Sequence, residues 1–258
     1  MSEKGCLKKG YLKKGYLKKG YLKKRMSEKN KISVQEVWSM KGMIDLHTHT
    51  LFSDGELIPS EHVRRAYVMG HRAIAMTDHA DFTNYEHIIS SLLRAKSLSE
   101  DWDIEVLAGI EITHVPPSKI DRLARLAKEA GAEIVVVHGE TPVEPVDPGT
   151  NLAAIEAEFV DILAHPGFLT EDEAALAAEN GTCIEITARG GHNRTNGHVA
   201  KVATAAGARI VCNTDTHQPE NMIDIEEAER VLRGAGLSTE QARQAFSNSE
   251  DLVRKLIH

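Results

Sequence analysis

From Met43 to His217 the chain alternates, seven times over, between a short β-branched or apolar run and a longer segment of helical periodicity. That alternation marks β-α units laid around a parallel sheet, and it excludes most other architectures at once. The runs are MIDLHTH (43–49), RAIAMTDH (72–79), VLAGIEIT (106–113), AEIVVVHG (132–139), DILAHP (161–166), TCIEITA (182–188) and RIVCNTDTH (209–217). Between them fall predicted helices at 59–69, 84–97, 118–130, 151–158, 170–180 and 195–206, and two more, at 223–234 and 238–256, close the chain. Gly70, Gly131, Gly181 and Gly207 follow periodic stretches, where a left-handed C-cap is needed. Seven units fit an α/β barrel one strand short of the usual eight, and a doubly wound open sheet fits nearly as well.

The strand ends carry the chemistry. Side chains two apart in a strand share a face, so His47 and His49 leave the first strand together. Asp54 follows in a Ser-Asp-Gly turn. A single histidine in an apolar segment is ordinarily structural, but here the feature recurs: His79, Glu111, His138, His165, Asp215 and His217 close later strands, so that with His47 and His49 the strand ends take six of the 13 histidines. In a parallel barrel these ends converge on one face. Only the sixth strand departs, ending near Arg189. Imidazole and carboxylate ligands without thiolate suit zinc, manganese or iron, and they outnumber the three or four groups that one zinc uses. More than one metal is therefore expected, and Glu111, with two oxygens, is suited to bridge a pair about 3.5–4 Å apart.

With DLHTHTLFSDG, TDHAD, GIEI, VVHGE, LAHPG and NTDTH in that order, the chain resembles the polymerase and histidinol phosphatase (PHP) family over about residues 43–217. The resemblance implies a distorted seven-stranded (β/α)7 TIM-like barrel, rather than an open sheet, with three divalent metal ions at the C-terminal strand ends. Carried onto this chain, it implies one metal on His47, His49, Glu111 and Asp215. A second would lie on Asp54, His79 and His217, and a third on Glu111, His138 and His165. Some relatives have histidine where this chain has Asp54.

A cluster of this kind suits hydrolysis of a phosphate ester by a metal-bridging hydroxide, because a bound metal brings the pKa of water from 15.7 down to about 7. The segment EITARGGHNRTNGH (185–198) supplies the expected substrate contacts. Arg189 and Arg194 are the expected phosphate-binding residues, a guanidinium being able to grip phosphate with two parallel donors. Arg189, His192 and Asp215 are the expected catalytic residues. Asp81 and Glu140 are read as acceptors that orient imidazoles. His62, His71, His87, His114, His198 and His258 are read as structural or surface residues.

Composition narrows the remaining choices. No apolar run approaches the ~20 residues of a membrane span. Three cysteines without C-x-x-C spacing fit a reducing cytoplasm, and no secretory signal is visible. The repeat LKKGYLKKGYLKKGYLKK lies within residues 1–31, which are read as a disordered lysine-rich extension; residues 32–258 are read as a single PHP-like barrel domain. Twelve basic against two acidic side chains give residues 1–31 a charge of +10, so the total of −7 leaves −17 on the rest. An acidic body opposes broad nucleic-acid binding, although tyrosines among the lysines of the tail favour it. The expectation is a metal-dependent phosphomonoesterase of a small phosphorylated substrate, histidinol phosphate being the first to test. The alternatives are a nucleotidase or exonuclease acting on nucleic-acid ends, and a metal-binding regulatory module with lapsed catalysis.

Overall fold

The computed structural model describes residues 42–97 and 102–257; the lysine-rich segment read as disordered lies outside them. The chain lays down β1 (Ile44–Thr48), β2 (Ala73–Met76), β3 (His79–Ala80), β4 (Glu105–Ile112), β5 (Ile134–His138), β6 (Ile162–Ala164), β7 (Cys183–Thr187) and β8 (Ile210–Asn213). All pairings are parallel, in the order β1-β2-β4-β5-β6-β7-β8 with β3 beside β4. β2 and β3 share one place, so seven strands form the barrel. Strands covered on both faces must be apolar throughout, which is why IVVVH and AIAM are continuous rather than alternating.

The barrel is nearly closed at the seam between β8 and β1. His49 N donates to Thr216 O at 2.8 Å and Asp215 N to His47 O at 2.9 Å. One step below, the side chain of Asn213 replaces the missing ladder partner, its Oδ1 accepting from Leu46 N at 2.9 Å. The seam decides between the two architectures that the alternation allowed.

One predicted strand needs correction: Arg72–His79 is not continuous but breaks at Thr77 and Asp78. The buried carboxylate of Asp78 accepts from Thr50 N, Thr50 Oγ1, Ser53 N and Ser53 Oγ at 2.8–3.0 Å. Those bonds hold the turn before Asp54 and draw the chain out of its ladder with β1, so β3 pairs with β4 alone.

Helices α1 (Pro59–Met69), α2 (Tyr85–Lys96), α3 (Ile120–Glu129), α4 (Thr150–Glu156), α5 (Glu171–Asn180), α6 (Asn196–Ala206), α7 (Ile225–Gly234) and α8 (Thr239–Ile257) fall within about two residues of expectation. Pro59 opens α1, and Thr170 with Glu173 forms a capping box on α5. All four expected glycine caps have positive φ. α8 packs on β8, with Asn248 Nδ2 donating to Ile210 O at 2.8 Å. No described helix is long and apolar enough to cross a membrane. Among the described residues, three non-glycines have positive φ: His114, His165 and Asp215, at 52°, 27° and 52°. All three follow strand C-termini, and such strain persists only where surroundings enforce it.

Candidate metal centre

The strand ends bring all nine expected ligands to one face. Glu111, fully buried on β4, stands at the centre. Its Oε1 lies 3.2 Å from His47 Nε2 and 3.6 Å from His165 Nε2. Its Oε2 lies 2.7 Å from His79 Nδ1 and 3.7 Å from His49 Nε2. Asp215 approaches from the seam, with Oδ1 3.2 Å from His49 Nε2 and Oδ2 3.7 Å from His165 Nε2. At the mouth, Asp54 Oδ1 lies 3.2 Å from His217 Nε2 and 3.5 Å from His79 Nε2. His138 groups with His165 and His192, all three buried.

Tautomers test whether these residues fit a metal. A carbonyl or carboxylate oxygen only accepts, so an imidazole nitrogen against one carries the hydrogen, and the neutral ring's lone pair is on the other nitrogen. His47 Nδ1 donates to Glu185 Oε2 at 2.8 Å, which leaves the lone pair of Nε2 against Glu111 Oε1 and 3.1 Å from His49 Nε2. His217 Nδ1 donates to Asp215 O at 3.0 Å, which turns its Nε2 lone pair onto Asp54 Oδ1. With both rings neutral, acceptor faces acceptor in both places, and Glu111 Oε1 and Asp215 Oδ1 are buried without a hydrogen bond. A cation between them removes the conflict.

Protons are held at some of these rings and not at others. Burial lowers the pKa of His79, but the carboxylates of Glu111, Asp54 and Asp215 outweigh it and raise the value to about 9. His47 is likewise raised, chiefly by Glu185 and Glu111 against burial. At His49 and His165 burial and neighbouring imidazoles hold the pKa well below the ordinary value, so those rings stay neutral with lone pairs available. Burial pushes Asp215 up to about 7. Divalent ions satisfy neutral rings and crowded carboxylates together, and the donor set fits them.

The other expected residues divide. Arg189 reaches the mouth, with Nη1 donating to Asn221 Oδ1 at 3.1 Å and Asp215 O at 3.5 Å. His192 is buried beside the cluster, its Nδ1 2.8 Å from Thr141 Oγ1. Arg194 is exposed. Two readings are corrected: Asp81 accepts from Thr83, and Glu140 from Gly149 N and Asn151 N, so both brace loops rather than orient imidazoles. His62 and His71 are structural as expected, against Thr48 Oγ1 and Ile223 O.

His114 is not a bystander. Its Nε2 lies 3.3 Å from Glu144 Oε2, and Glu144 also meets His138 and His192. Sequence reasoning missed Glu144 and Glu185. The signal for Glu185 was present, a carboxylate in the middle of the buried strand CIEIT; Glu144 sits in a loop without periodicity.

Residues 45–138 match the PHP domain family. An uncharacterized protein of Methanocaldococcus jannaschii is 56% identical over 82% of this chain and 99% of its own length. A probable phosphatase of Shewanella pealeana is 31% identical over 78% of this chain and 88% of its own. Among solved structures, a chain of archaeal ribonuclease P with mature tRNA superposes with a TM-score of 0.63 at 14% identity, covering 82% of this chain and 90% of that one. The Lactococcus lactis histidinol phosphate phosphatase, complexed with zinc, L-histidinol and phosphate, superposes with a TM-score of 0.54 at 17% identity, covering 76% and 94%. At such identities the superpositions establish the fold alone. Sequence kinship over nearly the whole of its relatives establishes that the chain belongs to the PHP family.

Proposed function

We propose that this chain, a metal-dependent hydrolase of phosphate esters, is a phosphomonoesterase that takes a small phosphorylated substrate at a centre of three divalent ions. The observation that carries the reading is fully buried Glu111, whose two oxygens face four imidazoles. His47, His49, Glu111 and Asp215 would hold one ion, Asp54, His79 and His217 a second, and Glu111, His138 and His165 a third. Zinc, manganese or iron suits these donors. Bound ions supply Lewis acidity, lowering the pKa of water and offsetting charge on the phosphate oxygens.

The chain's own residues do the rest. Arg189, aimed across the mouth by Asn221, binds the phosphate oxygens. Thr141 fixes one nitrogen of His192, so the other faces the centre and can hold the proton that the leaving alkoxide takes. Asp54 and Glu144 present carboxylates at the mouth of an already acidic body, which repels a polyanion and admits a single phosphate end. Free, buried Cys183 and Cys212 accord with a reducing cytoplasm. All nine expected ligands are present, which opposes lapsed catalysis.

Histidinol phosphate is the first substrate to test, since a fold relative holds L-histidinol and phosphate. The experiment is phosphate release by manganese-supplemented protein, with a mononucleotide and a short single-stranded DNA as competitors. Efficient turnover of a small monoester supports the reading. Preference for DNA ends would replace it with an exonuclease.

A further inference from the structure

We infer that Glu144 is a metal ligand of this chain, additional to the nine expected positions, and holds a cation jointly with His138 at the mouth of the barrel. The inference rests on the metal-centre reading above.

His138 supplies the argument. Its Nδ1 lies 3.1 Å from Gly139 O, and because a carbonyl only accepts, that nitrogen carries the hydrogen. The Nε2 lone pair then points at Glu144 Oε2, 3.2 Å away. In the neutral ring a lone pair against a carboxylate at that distance repels; a proton or a metal ion between them relieves it, and Glu144 attracts either. The second oxygen of Glu144 lies 3.4 Å from His192 Nε2, and the ring of His192 stacks on that of His165 at 4.3 Å between centroids. Glu144 therefore faces the same cluster from solvent that Glu111 and Asp215 face from the barrel interior. His114 completes the rim on the outer side, 3.3 Å from Glu144 Oε2.

The loop makes this placement more than a passing contact. Residues 139–149 contain Pro142, Pro145 and Pro148. The loop is pinned where Glu140 accepts from Gly149 N at 2.9 Å and Asn151 N at 3.0 Å. Thr141, on the same loop, contacts His192 Nδ1. The loop thus fixes Glu144 and His192 relative to each other. A phosphate ester approaching His138 and His165 meets Glu144 first, so the carboxylate and a substrate oxygen compete for one coordination position.

The test is calorimetric titration of Mn2+ into the full chain after removal of metal with a chelator, together with elemental analysis of metal retained after desalting. Wild type and Glu144→Gln are compared, with circular dichroism to confirm the fold. The half-exposed position of Glu144 makes the amide a mild substitution. One binding step should weaken at least about tenfold in E144Q, with fewer ions retained, while the other steps match wild type. In crystals soaked with Zn2+, a Glu144 oxygen should lie about 2.0–2.2 Å from an ion. Superimposable isotherms for the two proteins, with metal bound by both, would overturn the role of Glu144 and leave the centre standing. A folded wild type that binds no Mn2+ or Zn2+ would overturn both.

Discussion

Replacing Glu185 by glutamine removes one charge from the centre and little else. Glu185 Oε2 accepts from His47 Nδ1 at 2.8 Å and from Asn213 Nδ2 at 2.9 Å, while Oε1 is buried without a partner. A glutamine with its carbonyl oxygen at the Oε2 position keeps both bonds and puts its amide where nothing was bonded. What is lost is the negative charge behind the His47 ring, which makes Nε2 a better donor. Partners of this kind are worth about 10–100-fold in metal affinity or activity, or about 1.4–2.8 kcal/mol.

The metal-free protein should respond as well. Burial lowers the pKa of His47, but Glu185 leads the carboxylates that raise it well above the ordinary value. A raised imidazole pKa contributes stability that is present below about pH 6.5 and is lost as pH rises through the folded value. With chelator present, E185Q should therefore melt below wild type at pH 6, and the gap should close at high pH. Exchanging a charged for a neutral hydrogen bond costs about 1 kcal/mol, which is about 2–4 °C in Tm for a domain of this size. Thermal melts from pH 6 to 9.5 and Mn2+ titration read both effects. Unchanged metal affinity beside an unchanged melting profile would refute the coupling of Glu185 to His47.

Four other perturbations test separate parts of the site. His165→Gln should lower phosphate release at least about 100-fold with the circular dichroism spectrum intact, since the ring faces both Glu111 and Asp215. Arg189→Ala should raise KM for a phosphate monoester about 10–100-fold through loss of a charged hydrogen bond, and Arg189→Lys should recover only part, lacking the planar fork; an unchanged KM in the alanine variant would remove Arg189 from phosphate binding. His79, held at about 9 by Glu111, Asp54 and Asp215 against burial, is protonated at pH 7 and must release that proton to become a ligand. Calorimetry of Mn2+ binding in buffers of different ionisation enthalpy should therefore detect proton release, and its absence would contradict the assignment. Gly167→Ala should destabilise the fold by about 2–4 kcal/mol in denaturant unfolding, because φ is +66° there and an added Cβ would stand 1.9 Å from Glu140 O.

The barrel was legible because parallel strands are buried on both faces and must read as apolar runs, while the helices between them keep a polar face. The cluster of expected ligands was legible for a related reason: a charged or imidazole side chain at the end of such a run has few structural uses. The break between β2 and β3 was not legible, since its cause is a carboxylate bonded to Thr50 and Ser53, more than twenty residues earlier. Nor was Glu144, whose partners His114, His138 and His192 come from three different segments. Periodicity reports which face a residue takes within its own element. It is silent on contacts made by a loop.

Asn213 joins the two kinds of information. The sequence NTDTH reads as a pair of ligands, Asp215 and His217, preceded by an ordinary polar residue. In the fold, that residue accepts from Leu46 N across the seam and donates to Glu185, which in turn holds His47. The first and last strands are thus tied through a side chain that also steadies the carboxylate behind His47, a proposed ligand. Had the seam been an ordinary backbone ladder, its strength and the orientation of His47 would be independent. Because one amide serves both, a change that loosens the closure of the barrel also turns the His47 ring, and a metal held by that ring would in return stabilise the seam.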